Sequence, residues 1–318
     1  MPGDPEDLYF RNQVCVPLLL RAQNSDGGWA YQQGRQSATE PTAWALLALD
    51  SLPDSQEFSS ALGRGKDWLL AAQLRDHSWP SFAGFPEGCW LTSLAGLALH
   101  ERKDSPEAVA GAAAWLCNQW PAEGKFWRRW LLRLVGSRNA VRQNVALRGW
   151  SWTPGTSSWV EPTAYTLILL RRLFADQFPP DAERRRKLAE AMLYDRMCSG
   201  GGWNSGNAAV YGVAGQPLVG PTVWALLALQ KYRERPENQA GLRWLLSAKE
   251  QIQGPGSLAL AQICFRVYGC DAPSIVRELR RAYEANRFMG NTLVAASCAL
   301  ALDAPAAWLS WERGNASE

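Results

Sequence analysis

A short apolar segment recurs along the chain, and this repetition constrains the fold more than any other feature of the sequence. Its copies are EPTAWALLAL at 40–49, TSLAGLAL at 92–99, EPTAYTLILL at 161–170, GPTVWALLAL at 220–229, SLALAQICF at 257–265 and TLVAASCALAL at 292–302. Self-similarity of this kind is typical of architectures in which each repeat is one supersecondary unit that buries its apolar face against its neighbours.

Each copy is the last element of a repeated unit. The unit consists of an amphipathic helix, a Gly/Trp loop and the apolar helix. The loops read DGGW at 26–29, WP at 79–80, GWSW at 149–152 and GGGW at 200–203. A helix that is apolar on all sides has to be buried, whereas a helix with one polar face can form the outside. The sequence therefore predicts an all-α protein, a single-domain α/α toroid of six helix pairs with the apolar helices inside. An open solenoid is the competing arrangement.

The domain boundaries follow from the extent of the repeats. We expect an N-terminal tail at 1–14 and the barrel at 15–318, with a Trp/Arg-rich insertion at about 121–148. Within 125–135, aromatic residues and leucines recur at helical spacing with arginines between them, which suits a helix at a membrane interface. A surface helix docked on the barrel is the other interpretation of this segment.

Composition excludes several classes of function. The formal net charge is only +3, which argues against a nucleic-acid partner. Two histidines and scattered cysteines give no metal-ligand spacing, so we expect neither a metal nor another cofactor. No apolar run is long enough to cross a bilayer, and the acidic first residues do not suit a signal peptide. These features predict a cytoplasmic protein, with or without peripheral membrane contact through 125–135, and leave its oligomeric state open.

The Gly/Trp loops and the apolar segments resemble the repeats of squalene–hopene and oxidosqualene cyclases and of protein prenyltransferase β subunits. The likeness covers roughly residues 15–305, and Gln23 with DGGW at 26–29 is its cleanest motif. It implies the α/α toroid and a hydrophobic isoprenoid or lipid ligand. The prenyltransferases in this group need a zinc site of Asp, Cys and His, and no Asp-x-Cys lies near His77 or His100.

The resemblance also points to two candidate acids. Class II cyclases protonate an alkene with an aspartate placed two residues before the threonine of their DxDDTA motif. Glu40 and Glu161 occupy that position here, so the resemblance implies that one of them is the catalytic acid. The remaining aspartates are absent, because Ala38 and Trp159 replace the first and prolines replace the last.

An acid that protonates an alkene must be protonated and also strong, so its conjugate base needs a hydrogen-bond partner. We expect His77 to be that partner, since its loop and the starts of the apolar helices share one rim of the barrel. In the alternative interpretation, Glu40 and Glu161 only accept helix N–H groups as caps.

The aromatic residues divide into two expected groups. One group lines a central cavity, where ring faces stabilise carbocations or bind a polyprenyl chain; it comprises Trp44, Trp90, Trp159, Tyr165 and Trp224. The other group stacks on the preceding helices and braces the barrel; it comprises Trp29, Trp79, Trp152 and Trp203.

Three functional hypotheses follow. The leading one is an isoprenoid-handling protein resembling a reduced class II terpenoid cyclase, an isomerase or lyase that starts cyclisation by proton transfer without a metal. The second is a non-catalytic lipid-binding or scaffold barrel. The third is a prenyltransferase-like enzyme with an atypical site.

Overall fold

The computed structural model describes residues 5–103, 105–124, 143–175, 177–270 and 272–311. Thirteen α-helices lie in this part of the chain; they are α1 Pro5–Phe10, α2 Val16–Ala22, α3 Thr39–Asp50, α4 Ser59–Ala72, α5 Leu91–Arg102, α6 Pro106–Asn118, α7 Val160–Phe174, α8 Pro180–Asp195, α9 Val219–Ala228, α10 Pro236–Ala248, α11 Pro255–Tyr268, α12 Pro273–Asn286 and α13 Thr292–Ala301. A short antiparallel hairpin, β1 Ala209–Val210 with β2 Val213–Ala214, stands in the loop before α9.

The six apolar segments form a closed inner ring. Each of the helices α3, α5, α7, α9, α11 and α13 packs against the next, and α13 packs against α3. The helices α2, α4, α6, α8, α10 and α12 form the outer ring. Inner helices such as α3 are buried on nearly every side, while α12 buries only one stripe. The predicted α/α toroid is therefore confirmed, and the contact between α13 and α3 excludes an open solenoid.

Repeated hydrogen bonds between a loop tryptophan and a threonine fix each loop to its inner helix. The backbone N–H of the tryptophan donates to the threonine Oγ1 at 2.9 Å in four pairs, Trp29 with Thr42, Trp79 with Thr92, Trp150 with Thr163 and Trp203 with Thr222. Each indole N–H also donates to a carbonyl of the preceding outer helix; the acceptors are Leu19, Leu69, Leu116 and Leu193. These rings brace the inner ring against the outer ring.

In the third repeat the bracing tryptophan is Trp150, which corrects the expectation for Trp152. Trp150 is 3% exposed and lies 13 residues before Thr163. The same separation of 13 residues holds for Trp29 with Thr42. Trp152 lies two residues too late to make these bonds, and its ring is turned toward Trp90.

The C-terminal segment lies across the barrel at the C-terminal ends of the inner helices, which we call the lower end. Trp308, in the 3₁₀ turn Ala307–Leu309, is fully buried and meets Trp44 edge-to-face with ring centroids 6.3 Å apart. Gln230 holds this segment, because its side-chain amide donates to the Leu309 carbonyl and accepts from the Trp311 N–H. These side chains fill the bore at the lower end. The end with the Gly/Trp loops is called the upper rim.

Residues 5–15 pack against the barrel. α1 and a π-helical turn at Arg11–Cys15 lead into α2, and Arg280 in α12 forms ion pairs with Glu6 and Asp7. Residues 125–142 of the predicted insertion, including the candidate membrane helix at 125–135, lie outside the described residues. Within the described ranges, every helix is too short or too polar to cross a bilayer.

Candidate functional site

A cavity of about 450 Å³ opens at the upper rim, inside the inner ring. Two carboxyl groups, Glu40 and Glu161, stand on its wall above a floor of aromatic side chains. The floor consists of Trp44, Trp90, Trp152, Tyr165 and Trp224. Leu260 in α11 and Leu293 and Val294 in α13 form an apolar wall on the other side.

The repeat itself places the carboxyl groups over the rings. Glu40 lies in the first turn of α3 and Trp44 follows four residues later; Glu161 and Tyr165 stand in the same relation in α7. Residues four apart lie on one face of a helix, so each acid stands directly above an aromatic ring. In α9 the equivalent position is Gly220, where an added Cβ would lie 3.6 Å from Glu161 Oε1. The glycine therefore leaves open space beside that carboxyl oxygen.

The aromatic floor is continuous. Trp152 meets Trp90 edge-to-face at 4.9 Å between centroids, and Trp90 lies 5.1 Å from Tyr165. Tyr165 lies 4.1 Å from Trp224, which meets Trp44 edge-to-face at 5.7 Å. The faces of such rings can stabilise a positive charge in the cavity without any charged side chain below it.

Glu40 accepts its hydrogen bond from a phenol. The Tyr31 hydroxyl donates to Glu40 Oε2 at 2.7 Å. Burial raises the pKa of Glu40 above its usual range, and the bond from Tyr31 opposes part of that rise. Burial and the nearby Glu40 charge also raise the pKa of Tyr31, so the phenol stays protonated and remains a donor. Burial thus disfavours the charged form of Glu40, and the bond from Tyr31 stabilises the conjugate base when it forms.

Glu161 is the second carboxyl group with a shifted pKa. Burial raises its pKa to about 7, the hydrogen bond with Ser205 lowers it in part, and the charge of Glu40 raises it further. Because the two glutamates influence each other, their protons are lost in coupled steps. Near neutral pH the pair can therefore hold one acid and one carboxylate in the same cavity.

One loop position supplies several of the groups around this cavity. It is the residue two places after each bracing tryptophan, and its carbonyl accepts the N–H that starts the preceding inner helix. The four pairs, at 2.8–3.1 Å, are Tyr31 with Thr292, Ser81 with Thr39, Trp152 with Trp90 and Ser205 with Val160. Three of these side chains, those of Tyr31, Trp152 and Ser205, contact the acids or the floor.

Two predicted site residues lie elsewhere. His77 is exposed in a left-handed turn, and its ring packs on Gly111 of the outer helix α6, so it cannot support either glutamate. Trp159 bridges Trp150 in extended conformation and packs on Gly206, outside the cavity lining. Both expectations are corrected, because the turn and the bridge direct these side chains toward neighbouring elements.

Tyr31, Ser205 and the lining role of Trp152 were missed by reasoning from the sequence. Their common signal is the spacing of two residues after a bracing tryptophan. That spacing becomes meaningful only when the tryptophans are assigned by their distance to the threonines.

No family model matches the chain. Curated proteins do match over parts of it. Drimenyl diphosphate synthase of Streptantibioticus cattleyicolor is 28% identical over 192 residues, which is 50% of this chain and 36% of that protein. Lanosterol synthase of Saccharomyces cerevisiae is 26% identical over 110 residues, 35% of this chain and 13% of that protein.

A solved structure matches nearly the whole chain. A variant of the type II terpene cyclase MstE from Scytonema, in complex with geranylgeranyl dihydroxybenzoate, superposes with a TM-score of 0.63. It is 14% identical, and the match covers 93% of this chain and 97% of that chain. This likeness shows the fold.

The chain is an α/α toroid with the fold of the type II terpene cyclase MstE, and parts of its sequence are similar to terpenoid cyclases. The matched region spans about a third or less of the length of the curated relatives.

Proposed function

We propose that the protein binds a polyprenyl chain in the upper-rim cavity and cyclises it by proton transfer from Glu40. The observation that carries this proposal is the pair of partly buried carboxyl groups, with raised pKa values, above a continuous aromatic floor. The solved complex of MstE with a geranylgeranyl compound supports an isoprenoid ligand for a barrel of this fold.

In the proposed mechanism, the protonated Glu40 gives its proton to a terminal double bond of the bound chain. The π electron pair forms the new C–H bond, and a tertiary cation remains on the neighbouring carbon. Tyr31 already donates to Glu40, so it stabilises the carboxylate at the moment when that carboxylate forms.

The cation then lies above Tyr165 and Trp224 and close to Glu161. Further π pairs attack it to form C–C bonds, and the ring faces stabilise each successive cation. Loss of a proton to the Glu161 carboxylate ends the sequence, so that the net reaction is an isomerisation.

Product analysis in D₂O tests this proposal. The full chain is incubated with squalene, farnesol and farnesyl diphosphate in separate reactions, and products are identified by mass spectrometry. We expect a cyclised product carrying one deuterium from the acid. Glu40→Gln should lower its rate roughly 100-fold or more, since general acid catalysis contributes about 10²–10⁴.

Glu107→Gln is the matched control, because Glu107 is an exposed glutamate in the first turn of the outer helix α6. Its product rate should equal that of the wild type. Absence of product from the wild type with every substrate, or an unchanged rate in Glu40→Gln, would exclude the acid role.

A non-catalytic lipid-binding barrel is the second candidate. The replacement of the flanking aspartates by Ala38, Pro41, Trp159 and Pro162 favours it. In that case the substrates bind with measurable affinity, and no product forms with the wild type.

A further inference from the structure

The charged groups of the upper-rim cavity are all acidic. Glu40 and Glu161 line it, and no lysine, arginine or histidine is among the described residues of its wall. The remaining polar groups are neutral, namely Asn291, Ser297 and the Tyr165 phenol, whose pKa is raised well above its usual value by burial. The part of the lining that the structure describes therefore carries zero or negative charge and no compensating cation.

Helix N-termini are the usual alternative to cations as partners of phosphate groups. Six inner helices begin at this rim, and the first N–H group of four of them is already used. The N–H groups of Thr39, Trp90, Val160 and Thr292 donate to loop carbonyls. Pro41, Pro162, Pro221 and Pro255 occupy further first-turn positions and have no N–H.

The fourth inner helix, α9, adds no cation either. Gly220 replaces the glutamate found in the first and third inner helices, and it leaves space beside Glu161 Oε1 instead of adding a basic group there. Leu260, Leu293 and Val294 line the opposite wall with hydrocarbon. The cavity thus offers apolar contact, ring faces and carboxyl groups.

We infer that the cavity selects an uncharged isoprenoid chain, such as a hydrocarbon or an alcohol, and discriminates against a diphosphate. This inference rests on the proposed function and names its substrate class. A diphosphate next to Glu40 and Glu161 would lose its hydration, gain no cation and meet like charge. The drimenyl diphosphate synthase described above carries a diphosphate in its name, so this chain would differ from that relative in the class of its substrate.

Binding of a matched pair of ligands tests the inference without requiring turnover. Farnesol and farnesyl diphosphate share one chain and differ only in the head group. Their dissociation constants are measured by quenching of tryptophan fluorescence and by calorimetry. We expect farnesol to bind at least roughly tenfold more tightly than the diphosphate.

Two variants locate the selectivity in the cavity. The double variant Glu40→Gln/Glu161→Gln should reduce the preference for farnesol, and Glu107→Gln should leave it unchanged. Ser297→Lys brings a cation to the cavity wall and should increase the affinity for the diphosphate. An increase in affinity can be observed only if Ser297→Lys is folded. The Ser297→Lys result therefore tests the inference even if the double variant fails to fold.

Equal or tighter binding of the diphosphate by the wild type would overturn the inference and leave the proposed isoprenoid site intact. Failure of both ligands to bind would instead remove the proposed function, and the inference with it. Unaltered selectivity in both the double variant and Ser297→Lys would also overturn the inference, because the selectivity would then arise elsewhere.

Discussion

The Tyr31 hydroxyl donates to Glu40 Oε2 at 2.7 Å, while the Tyr31 carbonyl accepts the N–H of Thr292 at 3.0 Å. One residue therefore connects the last inner helix to the carboxyl group of the first. The closure of the ring and the position of the candidate acid depend on the same loop.

Tyr31→Phe should weaken catalysis without preventing binding. Removing the donor leaves the Glu40 carboxylate unstabilised, and a hydrogen bond to a charged group contributes about 1.5–3 kcal/mol, equivalent to a rate loss of roughly 10- to 100-fold. The measurements are the rate of product formation and the dissociation constant for farnesol. Tyr211→Phe, in the exposed hairpin, is the control and should behave as the wild type. Equal rates in both variants would show that Tyr31 does not assist Glu40.

Glu161 should make the fold less stable as pH rises. Its pKa is about 7 in the folded chain against an ordinary 4.5, so the folded state holds this proton more tightly than the unfolded state. The associated stability is complete below pH 4.5 and is lost as pH rises through 7, by up to about 3 kcal/mol.

Glu161→Gln removes this loss. Thermal unfolding should show little difference between the variant and the wild type at pH 4.5 and a higher melting temperature for the variant at pH 8. Glu107→Gln should show no such pH-dependent gain. A difference between Glu161→Gln and the wild type that is the same at both pH values would contradict the assigned pKa shift.

The two tryptophans of the GWSW loop should have separate roles. Trp150→Ala removes a buried ring that donates to Leu116, and it should lower the free energy of unfolding by about 3–5 kcal/mol. Trp152→Ala removes a partly exposed part of the cavity floor, so it should cost less stability and weaken farnesol binding. Chemical denaturation and fluorescence quenching separate the two effects. Reversed results would restore the assignment expected from the sequence.

Thr222→Val should destabilise the fourth repeat. The Trp203 N–H is buried and donates to Thr222 Oγ1, so the variant leaves an unpaired donor at a cost of about 1–3 kcal/mol. Thr222→Ser keeps the hydroxyl and is the matched control, with a smaller loss measured by urea denaturation. Equal losses for Val and Ser would assign the effect to packing of the methyl group.

The toroid could be predicted because its signals are local. The copies beginning at 40, 161 and 220 are apolar on every face, and such helices are stable only inside a second layer. Glu40, Glu161, Trp44 and Tyr165 could be grouped for the same reason, since a spacing of four residues sets one helix face.

The rest of the site depends on pairing between repeats. His77 and Tyr31 both lie in loops at the upper rim, and the sequence does not show which loop carbonyl accepts from which helix start. The bond from Thr292 to the Tyr31 carbonyl brings the phenol to Glu40, whereas the left-handed turn at His77 directs the imidazole to Gly111. These contacts are set by backbone groups that every residue has, so the side chains in the sequence do not identify them.

Trp308 and Gln230 hold the C-terminal segment across the lower end of the barrel, below Trp44, so we expect a ligand of the cavity above Trp44 to enter and leave at the upper rim. A product would then leave by the route along which its substrate arrived. Until it leaves, it would prevent the next substrate molecule from binding in the cavity. For the proposed reaction we therefore expect slow release of the product and inhibition by it, both set in part by Trp308, which packs against the floor residue Trp44 from below.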